Sequence, residues 1–143
     1  MAARLAARVT PGRSVLARTV LALIAIVLIA WFSVLAYNHA LGWNASLRIV
    51  AEPGMGAAEW QRSMDDFRRA EWLDPSTEWS IIRAQYWLLR DKRMALRVAD
   101  SVLRREPDNL AAWSAVLRAS DGVAPARHRE ALMQIQRLNP PPQ

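Results

Sequence analysis

The chain of 143 residues contains no cysteine, which excludes a disulfide framework, a thiolate zinc site and a cysteine nucleophile. Its two histidines, His39 and His128, stand far apart with no cysteine beside them, so no metal-ligand spacing exists. The five glycines form no phosphate-cradling loop, and there is no nucleophile elbow. Asp65-Asp66 is followed by Arg68-Arg69, a pattern of local helix pairing rather than of a carboxylate dyad. His128 sits in the charged run Arg127–Glu130, expected to be a solvated helix face. These absences disfavour an enzyme and imply neither metal nor cofactor.

Acidic residues are missing from positions 1–19, where Arg4, Arg8, Arg13 and Arg18 supply +4 of the net +6. The remaining residues are nearly balanced. A nucleic-acid-binding face should survive in the folded part, and here it nearly vanishes, so no nucleic-acid partner is expected.

What is present is a long apolar run. Val20 to Tyr37 is eighteen residues without charge, glycine or proline. At about 1.5 Å per residue it covers roughly 27 Å, close to the hydrocarbon core of a bilayer. A short chain has no second layer to bury a helix that is apolar all round. The run predicts a transmembrane helix over 20–38, preceded by a basic tail at 1–19. The positive-inside rule places that tail in the cytoplasm and the rest across the membrane. A cleaved secretory signal is the competing reading, with small residues near Ala36, but the run exceeds the roughly 7–15 residues of a signal core. Ala22, Ala25, Ser33 and Ala36, with Ile29, fall on one stripe, where small side chains let a second transmembrane helix approach.

Residues 39–44 read as a short connector. Asn44-Ala45-Ser46 matches a glycosylation sequon, but Asn44 is read as the cap of a short helix ending at Pro53-Gly54. Apolar spacing then predicts helices over 57–73, 78–89, 94–105, 110–120 and 125–138, the last burying Leu132, Ile135 and Leu138. No stretch alternates as a strand. Asn139-Pro140 and the proline-rich tail 141–143 end the pattern.

Trp79 and Trp113 are 34 residues apart. Residues 76–109 carry Trp79, Ile82, Arg83, Tyr86, Ala95, Ala99 and Pro107 at spacings that resemble a tetratricopeptide repeat. Arg83 replaces the small glycine of that pattern and Ala99 its large aromatic. Phe67, Ala70, Leu73 and Pro75 match the end of a preceding unit. Trp113, Leu132, Ile135, Leu138 and Pro140 match a following one, with Ser120 in the tyrosine place. The resemblance covers residues 45–140 and implies an all-α fold: one transmembrane helix, then a short α-solenoid of helical hairpins. Its repeat core is Phe67, Ala70, Trp79, Ile82, Tyr86, Ala95, Ala99 and Trp113.

The resemblance also implies a concave groove that binds a peptide or protein segment, lined here by Ser80, Ala84, Trp87, Leu88, Ser114 and Arg118. Trp87 beside basic side chains has the composition of a binding hot spot. The sequence thus suggests a membrane-anchored adaptor binding a protein partner. Such an adaptor would serve, for instance, in envelope assembly or secretion. Eighteen arginines against one lysine, with abundant alanine, is the composition of a GC-rich bacterial genome and says nothing about mechanism. The alternative is an accessory subunit of an integral membrane complex, held mainly through its transmembrane helix.

Overall fold

The computed structural model describes residues 11–72 and 74–140. Most of the basic tail, Leu73 and the tail 141–143 lie outside the described residues. Six helices and, among the described residues, no strand make up the chain: α1 (Pro11–Ala51), α2 (Ala57–Glu71), α3 (Glu78–Trp87), α4 (Lys92–Leu103), α5 (Leu110–Ser120) and α6 (Pro125–Leu138). The chain divides into two units, the first ending at Tyr37 and the second beginning at Asn38.

In the first unit, α1 is long and apolar enough to cross a membrane, and its most apolar stretch is not buried. Ala22, Ala25, Ser33 and Ala36 are all exposed. The hydroxyl of Ser33 donates to the Ile29 carbonyl at 2.8 Å. That bond satisfies the hydroxyl within its own helix, so it needs no partner in an apolar medium.

The second unit corrects the expected break at 39–44. Those residues are helical, and Asn44 lies inside α1 rather than capping a new helix. Gly42 and Asn44 are weak helix formers, each costing roughly 0.5–1 kcal/mol against alanine. Packing overrides them. Asn38, Gly42, Ala45 and Ile49, spaced by four, three and four, form a buried face, and Arg48 pairs with Asp66 of α2. Pro53 cannot continue the helix, and the chain turns where the Met55 amide donates to the Glu52 carbonyl at 3.0 Å.

Local chemistry sets the later boundaries. Asp91 caps α4 by accepting from the amides of Arg93 and Met94, and Asn109 caps α5 by accepting from that of Ala112. Pro125 opens α6, where its missing amide hydrogen is not needed. Gly122, with φ at 71°, makes the turn between α5 and α6 in the left-handed region.

Two apolar clusters hold this unit together. One gathers Ala45, Ile49, Met55, Trp60, Met64, Phe67, Ala70 and Trp79. The other gathers Ala84, Val98, Ala99, Val102, Leu103, Trp113, Val116 and Ala131 with smaller neighbours. Phe67 is fully buried, and truncating such a side chain to alanine costs about 3–5 kcal/mol. Along the chain α2 packs on α3, α3 on α4, α4 on α5 and α5 on α6, and α3 also touches α5. Ala131 is the fully buried residue of α6, with Ile135 and Leu138 beside it. Leu132, expected inside, is instead 41% exposed, because the face centred on Ala131 leaves it one helix position away.

Candidate partner interface

α3 has neighbours on several sides, and this decides the fate of the expected groove. Ser80 and Ala84 are buried. Ser80 accepts from the Arg105 guanidinium at 3.4 Å, and Ala84 belongs to the α4–α5 cluster. Neither is open to a partner, in contrast to the expected groove lining. Trp87 is half-buried rather than presented to solvent. Its ring meets that of Trp60 edge-on at 5.7 Å, and it packs against both clusters. Leu88 and Ser114 are half-buried, and the Ser114 hydroxyl is used on the Leu110 carbonyl at 2.9 Å. Of the six groove residues, Arg118 alone is exposed.

The residues expected in the repeat core are all buried or packed against a cluster. Phe67, Ala70, Trp79, Ala95, Ala99 and Trp113 are buried. Ile82 and Tyr86 are half-buried against the first cluster, with Tyr86 stacked on Phe67 at 5.5 Å. Arg83, the departure from the small residue of the repeat pattern, reaches Glu71 of α2 in a two-point pair, Nε to Oε1 at 2.6 Å and Nη2 to Oε2 at 2.9 Å.

Some charged residues of α2 pair within the helix. Arg68 pairs with Asp65, and Arg69 lies 4.0 Å from Asp66, which Arg48 of α1 also engages. The Arg68 hydrogen bond holds the Asp65 carboxyl below its ordinary value. His39 meets the Trp79 ring edge-on at 4.9 Å. His128 is not on a solvated face as expected. It is half-buried, with Nδ1 3.1 Å from the Leu117 carbonyl oxygen, where it caps a backbone group rather than facing water. Among the described residues no three histidine or carboxylate side chains converge as a metal site would require.

A different surface is open. On the part of α1 within the second unit, Asn38, Gly42, Ala45 and Ile49 face inward, while Trp43, Leu47 and Val50 are 59%, 51% and 68% exposed. Their spacing of four and three makes one apolar stripe on the far side of the helix from its own domain. The signal was in the sequence, hidden by reading 39–44 as a connector. No family model matches the chain, and neither a curated protein nor a solved structure is significantly similar to it.

Proposed function

We propose that this protein is a single-span membrane protein whose helical domain is an accessory subunit or adaptor, held to an integral membrane partner chiefly along α1. The observation that carries this is the exposed stripe Trp43, Leu47 and Val50 on a helix that continues from the apolar run without a loop. Three large apolar side chains left open on one helix face suit contact with an apolar protein surface. Small residues at Ala22, Ala25, Ser33 and Ala36 suit the same kind of partner within the bilayer.

In this reading the domain from residue 45 is a short stack of tetratricopeptide-like hairpins, with α3–α4 and α5–α6 as two units and α2 closing a third. Contact of α3 with α5 supports that arrangement. The arginine-rich tail favours a cytoplasmic N-terminus and an extracytoplasmic domain, a place suited to envelope assembly or secretion. With Ser80 and Ala84 buried, the groove contributes less to binding than the adaptor reading requires, and α1 contributes more.

The test is purification in mild detergent of the intact protein and of Leu47→Asp, Val50→Asp and Arg118→Ala variants. Loss of the same co-purifying membrane protein from the α1 variants, with Arg118→Ala unaffected, supports this reading. Loss with Arg118→Ala alone restores the groove as the binding surface. A monomer that carries no partner refutes both.

A further inference from the structure

The last turn of α2 ends in an indole that the described protein leaves uncovered. Trp72 is 64% exposed, and Arg68 and Arg69 next to it are exposed. With Asn38 and Asp65 these residues line an open groove of about 630 Å³. One hydrogen bond fixes its place: buried Asn38 donates through Nδ2 to the Trp72 carbonyl at 3.3 Å. Asn38 directly follows the last residue of the apolar run, Tyr37. If the run crosses the hydrocarbon, the backbone of Trp72 is one side-chain length from the point of exit, whatever the tilt of the helix.

The chemistry of the groove suits that depth. Indole rings favour the headgroup zone, where an apolar face and a polar N–H are both accommodated. Guanidinium groups bind phosphate oxygens through paired hydrogen bonds. The lining holds two positive side chains against one negative, Asp65, which is already engaged by Arg68 and by Gln61 Nε2 at 3.0 Å. Among the described residues Arg69 has only Asp66 at 4.0 Å, and Asp66 is engaged by Arg48.

We propose that Trp72, Arg68 and Arg69 dock on the phospholipid headgroup layer, the indole at the level of the acyl carbonyls and the guanidinium groups on lipid phosphates. The domain then has a second membrane attachment beside its helix. This rests on the reading of α1 as a membrane span, and the experiment separates the two.

Because the chain has no cysteine, Val27→Cys and Trp72→Cys each give one labelling site in the full-length protein. Each is labelled with a fluorophore and reconstituted in vesicles of phosphatidylcholine with a minor share of phosphatidylglycerol. Lipid-borne nitroxide and aqueous iodide serve as quenchers. Both labels are expected to be quenched by a lipid nitroxide at matching depth, acyl-chain for position 27 and headgroup for position 72. Adding Arg68→Gln and Arg69→Gln should weaken docking by about fivefold per arginine, read as a shift of the position-72 label from nitroxide to iodide quenching. If position 27 is lipid-quenched and position 72 only iodide-quenched, docking is refuted while the span stands. A position-72 label shielded from both quenchers means a protein covers it, which also refutes docking. A position-27 label open to iodide refutes the span and docking with it. As a check with no label, Trp72→Phe should reduce the share of tryptophan emission quenched by brominated lipid, and an unchanged share would overturn the proposal.

Discussion

Gly42 of α1 and Trp79 of α3 leave no room for a β-carbon between them. One placed on Gly42 would stand 2.8 Å from both Cε3 and Cζ3 of the indole and 3.0 Å from Cβ of Ala70. Trp79 has little freedom to retreat, since it is buried with His39 edge-on at 4.9 Å and Phe67 at 6.0 Å. Alanine gains about 1 kcal/mol of helix propensity over glycine, whereas overpacking a fitted site costs about 1–3 kcal/mol. Gly42→Ala is expected to destabilise the domain on balance, and Gly42→Val more strongly. Thermal unfolding in detergent followed by circular dichroism checks this, and an alanine variant as stable as the parent would refute the close approach.

Arg83 and Glu71 are only 15% and 21% exposed and meet through two hydrogen bonds. Removing Arg83 leaves a largely covered carboxylate without its donor. Arg83→Ala is expected to cost about 1–3 kcal/mol. Arg83→Lys should recover only part of it, because an ammonium cannot reproduce the fork. A double-mutant cycle with Glu71→Ala in urea unfolding should give a coupling of at least about 0.5 kcal/mol. A coupling near zero would reduce the pair to a surface contact.

Acid should loosen the junction before α5. Glu106 accepts from Asn109 Nδ2 at 2.6 Å and Thr77 Oγ1 at 2.9 Å. These hydrogen bonds, the Asn109 one foremost, hold its carboxyl below the ordinary 4.5. Asp65 is likewise held below its ordinary 3.8, first by the Arg68 hydrogen bond. For a depressed carboxyl the stabilisation is complete above the unfolded-state value and disappears as the pH falls through the folded one. Stability should therefore be level above about pH 5 and fall below it. Glu106→Gln should make that fall shallower, as measured by urea midpoints across the acid range; an unchanged slope would remove Glu106 from the account.

Trp87→Ala should behave as a core lesion. Its ring is shared by both clusters, and truncation is expected to cost about 3 kcal/mol. Arg118→Ala, at an exposed position, should stay within about 0.5 kcal/mol of the parent. Unfolding midpoints of the two variants decide this. A Trp87→Ala protein of parental stability would return the side chain to the binding surface.

Much of the fold was legible because its signals are local. The spacing of Trp60, Met64, Phe67 and Ala70 marks the buried face of α2, and Asp91, Asn109 and Pro125 mark three helix starts by their own chemistry. The continuity of α1 was not legible, because Gly42 and Asn44 weaken a helix locally and the packing that rescues it comes from Trp79 and Ala70, dozens of residues away. The burial of two expected groove residues escaped for a related reason. Period alone shows that Ser80 and Ala84 lie away from the Trp79 stripe, but not that they are buried. The exposed stripe of α1 becomes visible only once the connector is recognised as helix.

Stacks of repeated hairpins can lose their ends piecemeal, since each unit touches only its neighbours. Here one indole, that of Trp87, is common to the cluster built on α1 and α2 and the cluster built on α4 and α5. Amide protection is therefore expected to disappear from both clusters together, and hydrogen exchange that releases one cluster well before the other would show that the shared indole does not couple them.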